Sequence, residues 1–398
     1  MGVNIFEALG TTGLTSNKDK HAALVYAMAE VPFGLVADSV NFLTSINDLK
    51  KINVLPSSLA NEVKRLYYHV DAFFKANPNG VIHLVPAVNI TFDLIDLIDD
   101  SIQLVGYVTN AQIADATALT TLVNALNTKR NALRDERNRC IQIILSCGID
   151  NIAAYTSLPD FGTAGTANYV ALDCGQDYSD LSLAKEIFED DKICGSIGLM
   201  LGIATKNTVK DHIGYRAINS LTQYGVTKAI IPTGDAIDVS VLNKTVKNGL
   251  KDKGLIFIEK IETLGTFAYH NARNCTAVSS DRSQFNITRP ENKAKRIIDL
   301  AISSRINKDF FSGNGGKLTK IEIDSLKTAI VESLRINMLQ GGVEQFELDY
   351  EDGQVPFSDI VIDEKQNIKV SETINIVSKL KFKGTVSVIN IYSTINLN

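Results

Sequence analysis

A chain of 398 residues, 45% of them apolar, has room for two or three packed domains. Its net charge of −5 lacks the basic footprint of a dedicated nucleic-acid binder, and no run reaches the roughly eighteen apolar residues of a membrane-spanning helix. Five cysteines (Cys140, Cys147, Cys174, Cys194 and Cys275) stand far apart with no Cys-x-x-Cys pair, which argues against a zinc cage or disulfide framework and reads as buried thiols of a reducing cytosol.

Residues 1–20 are short and rich in Gly and Thr, end in NKDK, and read as an extended arm. MGVNIF has no basic start leading into an apolar core, so no secretory signal is expected, and Phe6 stands where a myristoylation motif has Ser or Thr. Pro56 predicts a helix start, with Leu59, Val63, Leu66, Val70 and Phe73 at helical spacing. Asn79-Gly80 ends it, and 81–88 reads as a buried strand. Strand 102–109, helix 111–138 and strands 140–147 and 169–174 follow. Helix 179–191, the apolar runs 197–203 and 229–232, a helix near 239–253 and strand 255–261 continue the alternation. It predicts an α/β layer with a largely parallel sheet.

From Thr266 the pattern changes. Pro290 predicts the start of a helix with Ala294, Ile297, Ile298, Ala301, Ile302, Ile306 and Phe310 on one face. GNGG at 313–316 is a turn. A second helix carries Ile323, Leu326, Ile330, Leu334 and Met338, and Gly341-Gly342 caps it. Alternation at 345–350, the run 360–362 and a terminal ribbon complete a compact α+β unit. In that ribbon Ile374, Ile376, Leu380 and Phe382 alternate with polar residues, Gly384 interrupts, and Ile389, Ile391, Ile395 and Leu397 form a second stripe. Fully extended, 385–397 reaches roughly 40 Å. Such an end needs a covering strand, from its own sheet (the simpler reading) or from a neighbouring copy.

No motif for cofactor chemistry or nucleophilic catalysis is present: the chain has no Walker loop, zinc-protease helix or Gly-x-Ser-x-Gly elbow. The Gly-rich stretch 162–165 reads as a loop rather than a phosphate cradle. Asp93, Asp96 and Asp100 share a helical face, and a solvated acidic side explains them more simply than a divalent cation. None of His21, His69, His83, His212 and His270 stands two or four residues from another, so chelation along one element is not expected. His270, in FAYHNARNC, reads as a structural hydrogen-bonding group. Lys129, Arg130, Arg134, Arg137 and Arg139 cluster at a helix C-terminus, where the macrodipole favours cations.

From residue 249 onward the chain resembles the tail sheath proteins of contractile phage tails and bacterial contractile injection systems. The resemblance rests on KNGLKDKGLIFIEKI (247–261), FAYHNARNCT (267–276), SQFNITRPENKAKRIIDLAISS (283–304) and FFSGNGGKLTKIEIDSLKTAIVESLR (310–335), in that order. Ala272-Arg273 matches the family's "AR" pair, and FNITR at 285–289 its "INVRR" stretch. Leu43-Thr44-Ser45 through Asp48 and CGSIGLMLGIAT (194–205) are looser matches. The family's "WGARTL" is degraded, since the chain has no Trp.

The resemblance implies an α/β body (21–262), a C-terminal α+β sheath domain (263–383), and extended N- and C-terminal β-arms at 1–20 and 384–398. It implies a structural, non-enzymatic subunit that polymerises helically around an inner tube and shortens to drive that tube forward. Arms add strands to a neighbour's sheet, which reverses the simpler reading of 385–397. Val3, Ile5, Phe6 and Leu9 would form one arm, and Val386, Val388, Ile389, Ile391, Ile395 and Leu397 the other, with Gly384 as hinge. Lys320, Lys327 and Arg335 are expected to face the tube. The implied partners are neighbouring sheath subunits, the inner tube protein and baseplate and terminal-cap proteins, with neither nucleic acid nor membrane. Assembly is expected in the bacterial cytoplasm. The runner-up readings are an α/β hydrolase-like or nucleotide-binding enzyme with its site at strand C-termini, and a non-contractile filament protein.

Overall fold

The computed structural model describes residues 19–137, 139–215, 218–303, 316–339, 360–365 and 376–378. Its centre is a seven-stranded sheet. In chain order the strands are β1 (His21–Ala27), β2 (Asn41–Leu43), β3 (Val81–Ala87), β4 (Leu104–Gln112), β5 (Gln142–Gly148), β6 (Val170–Asp173) and β7 (Leu255–Ile256). Across the sheet the order is β2-β3-β1-β4-β5-β6-β7. All neighbours pair in parallel except β2, which runs antiparallel along β3. Buried on both faces, these strands read as apolar runs such as HAALVYA and QIILSCG rather than as alternating patterns.

Helices cover both faces. On one side lie α1 (Asn61–Ala76) and α3 (Ile197–Lys206), with α2 (Ala116–Arg137) on the other. The sides follow from β4: a Cβ on Gly106 would meet Leu201 and Ile197 of α3, whereas the adjacent Tyr107 rests its ring on Phe92, in the 3-10 helix Phe92–Leu97 that packs on α2. Helix α3 approaches α1 closely because it carries Gly198 and Gly202. A Cβ at Gly198 would run into the His69 carbonyl oxygen, and one at Gly202 would come within 2.6 Å of that of Phe73.

The predicted helix start at Pro56 moves to Asn61, leaving Leu59 fully exposed. A turn takes the preceding backbone donors instead: Leu55 N–H donates to Ser58 Oγ at 3.1 Å, and Ser58 N–H to Leu55 O. The predicted strand 255–261 divides in two. Ile258–Ile261 leaves the main sheet and pairs antiparallel with Thr266–Tyr269. Residues 162–165 are not a plain loop: Phe161–Ala164 is one helical turn capped by Asp160, and a Cβ on Gly162 would collide with Asp252 O.

Beyond the sheet, α4 (Phe285–Ser303) and α5 (Lys320–Leu339) pack together. Helix α4 begins five residues before Pro290, because buried Phe285 and Thr288 hold its first turns against the body. Ala294, Ile297 and Ile298 meet Ile330, Leu334 and Met338 in a core separate from that of the sheet. Strand Ile360–Ile362 pairs antiparallel with Ile376–Ser378 and places Ile360 and Ile376 against this core. The strand 345–350 and the caps around 313–315 and 341–342 lie outside the described residues.

Candidate functional site: the seam around helix α4

Helix α4 is buried around most of its circumference although it carries a run of polar residues. Asn286, Thr288, Arg289, Glu291, Asn292 and Lys293 are all buried. At its start, Thr288 Oγ1 donates to Gln142 Oε1 at 2.6 Å, and Gln142 Nε2 donates to Asn274 Oδ1 at 3.0 Å. These bonds tie α4 to β5 through groups that water cannot satisfy, so each bond replaces hydration that burial removes.

One turn on, Glu291 gathers three donors. Arg282 holds it through two bonds of 2.8 Å, Lys295 Nζ donates at 2.8 Å, and Tyr169 Oη donates at 3.0 Å. Burial pushes this carboxyl up, but the hydrogen bonds and charges of Arg282 and Lys295 outweigh it and hold it down at about 2. The Arg130 guanidinium, from α2, stacks 3.3 Å over the Tyr169 ring and donates to Asn292 Oδ1 at 3.3 Å.

A second group lies on the next face. Asp19 Oδ2 receives Lys293 Nζ at 2.6 Å, and its Oδ1 receives Arg296 Nη2 at 3.2 Å. Arg296 Nη1 donates to Ser101 O at 2.7 Å. Arg289 sits on the same face, its guanidinium pushed down to about 10 by burial, with the charges of Asp19 and Asp211 working the other way. Breaking a buried ion pair by removing one partner costs about 3–5 kcal/mol, because the other charge remains buried.

The acidic and basic clusters considered separately in the sequence belong to one contact. Lys129 Nζ lies 2.7 Å from Asp93 Oδ1 and 2.8 Å from Asp96 Oδ2, and Arg139 Nε is 3.4 Å from Asp100 Oδ1. Arg130 and Arg139 are buried, not exposed at a helix end. Sequence reasoning missed this pairing because it spans more than thirty residues; complementary charge alone could have suggested it. Among the described residues no group of three potential metal ligands comes together.

Among the described residues, His270 and Asp173 are engaged internally. His270 Nδ1 lies 2.8 Å from Glu259 Oε2, and its ring stacks on Phe257. Asp173, at the C-terminal end of β6, accepts from Ser196 N–H at 2.6 Å, Ser196 Oγ–H at 2.9 Å and Gly175 N–H at 3.0 Å. Burial raises its carboxyl to about 6 in spite of these bonds. Cys147, Cys174, Cys194 and Cys275 are buried, with thiols pushed up by desolvation, and Cys140 is half-buried.

On α5, Lys320 and Arg335 are exposed and Lys327 is half-buried; Arg335 pairs with Glu332 at 3.0 Å. Val3, Ile5, Phe6, Leu9, Gly384, Val386, Val388, Ile389, Ile391, Ile395 and Leu397 lie outside the described residues. No helix among the described residues is long and apolar enough to cross a membrane.

No protein-family model matches the chain, and no curated protein matches it in sequence. Solved structures do match in fold. A chain of the Extracellular Contractile Injection System PVC sheath complex in its contracted state is 15% identical with a TM-score of 0.59, over 94% of this chain and 91% of that one. A chain of the anti-feeding prophage baseplate is 14% identical with a TM-score of 0.59, over 94% and 93%. A sheath tail protein from Listeria innocua is 8% identical with a TM-score of 0.54, over 94% and 99%.

Proposed function

We propose that this chain, which has the fold of contractile sheath proteins, is the structural subunit of such a sheath. The observation that carries the reading is the extent of the fold likeness: 94% of this chain and 91% of a chain from a contracted sheath complex. A match of that extent leaves little of the chain over for an unrelated domain. The chain would polymerise helically around an inner tube and drive that tube forward as the assembly shortens, without enzymatic chemistry. Its partners would be neighbouring copies, the tube protein, the baseplate and a terminal cap, assembled in a bacterial cytoplasm.

In this reading residues 1–20 and 384–398 are arms around a 21–262 body and a 263–383 sheath domain. Val3, Ile5, Phe6 and Leu9, and Val386, Val388, Ile389, Ile391, Ile395 and Leu397 beyond the Gly384 hinge, add strands to neighbouring sheets. The short pair Ile360–Ile362 and Ile376–Ser378 is the small sheet such strands would extend. Contacts of this head-to-tail kind do not close on themselves and generate a helix of subunits. Main-chain bonds in a linking strand tolerate rotation of the bodies, so they can persist while side-chain contacts exchange. Lys320, Lys327 and Arg335 face the tube.

The test is assembly. Purified full-length protein is expected to form hollow tubules visible by negative-stain microscopy, and removal of residues 385–398 is expected to leave a folded monomer. Tubules of equal yield from the truncated protein would overturn the strand-exchange reading.

A further inference from the structure

Residues 1–18 join the body at Asp19, two positions before β1, which is an inner strand of the main sheet. A pull on that segment, carried along the backbone alone, would fall on the start of β1. The nearest ladder bond there is long: Val81 N–H to Lys20 O, 3.4 Å. The Asp19 carboxylate offers a different path through Lys293, at 2.6 Å, and Arg296, at 3.2 Å, both on α4. Arg296 also grips Ser101 O at 2.7 Å, so the same helix is tied to the loop that leads into β4.

Arg289, Lys293 and Arg296 are spaced i, i+4, i+7 and share one face of α4. Roughly 130° around the helix, Ala294, Ile297 and Ile298 pack with Ile330 and Leu334 of α5 and with Ile360. Ile376 packs onto the same core, and three residues later begins the segment 379–398. One helix therefore meets the root of the N-terminal segment on an ionic face, and on an apolar face it shares with α5 and Ile360 the core on which the root of the C-terminal segment packs.

We infer that α4 is the common anchor of both chain ends, so that tension entering at one terminus leaves by the other across this helix and bypasses the seven-stranded sheet. Such tension between neighbours is what the sheath reading supplies, and to that extent the purpose rests on it. The anchor itself is a property of a single chain. Lys293 and Asp19 act here as positioning residues, keeping the start of β1 out of the load path.

Single-molecule pulling on the full, unassembled chain tests this. Handles at residues 1 and 398 load the anchor, and handles at 398 and an exposed site such as Leu59→Cys bypass Asp19. Replacing the pair together (Asp19→Asn with Lys293→Met) removes the clamp and leaves no charge at 293, while Arg296 keeps its bond to Ser101 O and Arg289 keeps the Asp211 charge. The first rupture is expected at lower force in the 1–398 geometry, with a contour-length gain that includes β1, and at unchanged force in the 59–398 geometry. Amide exchange at residues 20–22 is expected to accelerate on the order of 100-fold. Equal forces in the 1–398 geometry, or an equal drop in both geometries, would overturn the anchor. Should the double variant fail to fold, Arg296→Ala removes half the clamp and is expected to give a smaller shift of the same geometry dependence. Formation of tubules by the full-length protein judges the sheath reading separately, since the pulling assay needs no assembly.

Discussion

The sheet and the α4–α5 unit are held by different physics. Around the sheet, one continuous apolar core runs from Ala22 to Phe285. The helix pair has its own small apolar clusters, and it meets the body through Thr288, Glu291, Asn292 and Lys293. Apolar burial is strong but indifferent to small rotations. A charged, hydrogen-bonded seam contributes less net stability but is satisfied in only one register. The body thus supplies bulk stability, and the seam fixes how the load-bearing helix is set upon it.

This contrast can be broken most directly by cavities. Leu24→Ala on β1 and Ile330→Ala on α5 each empty a fully buried site and are expected to cost about 2–5 kcal/mol. Hydrogen exchange distinguishes them: Leu24→Ala should raise exchange throughout, Ile330→Ala chiefly along α4 and α5. Uniform exchange in both would mean that the two regions are a single cooperative unit. Gly198→Ala sharpens the body side. Its methyl has nowhere to go but the His69 carbonyl, so it should cost about 3 kcal/mol in denaturant titration, outweighing the ~1 kcal/mol that alanine gains in a helix.

Acid should separate the regions by pH. His69 and His212 are held down at about 3 and about 4, in both cases chiefly by burial. Their lowered folded values mean that the unfolded chain binds protons first, so stability is lost as pH falls below 6.5, by on the order of 5 kcal/mol for His69 and about 3 kcal/mol for His212. Asp173, raised to about 6, works oppositely: it adds stability as pH falls from about 6 to 3.8, offsetting roughly one histidine. Glu291, lowered to about 2, supports the seam above 4.5 and gives up that contribution only as pH falls from 4.5 toward 2. Acid titration of Glu291→Gln should therefore lose the lowest segment of the wild-type curve and keep the rest. The smallest effect is expected on α5: Lys320→Glu with Arg335→Glu should change stability by less than about 0.5 kcal/mol in thermal melts while, in the proposed sheath role, reducing co-assembly with an inner tube protein.

Local signals in the sequence predicted much of the sheet, because buried parallel strands are written as unbroken runs such as Val81–Ala87. They failed where a partner is distant. Glu291, Asn292 and Lys293 sit off the apolar stripe of α4 and look solvated until Tyr169, Arg130 and Asp19 are brought against them. For the same reason Asp96 reads as a solvated charge and Lys129 only as a cation at a helix end. Helix starts slipped at Pro56 and Pro290, since proline marks where a helix can begin and side-chain packing decides where it does. Gly198 gave no signal, because close approach between helices is a property of the pair.

In the proposed reading copies join by lending strands, and such copies must not also stick flank to flank. Among the described residues, the two borders of the main sheet are blunt. The outermost strand on one side has three residues, and its Asn41 amide folds back on Val36 and Ser39. On the other side the border is two residues long, with the Leu255 carbonyl already occupied by Asn271 at 2.7 Å. Stubby, self-satisfied margins of this kind offer no template for stacking. Propagation would then be confined to the extremities of the polypeptide, giving orderly growth along a single axis in place of lateral clumping.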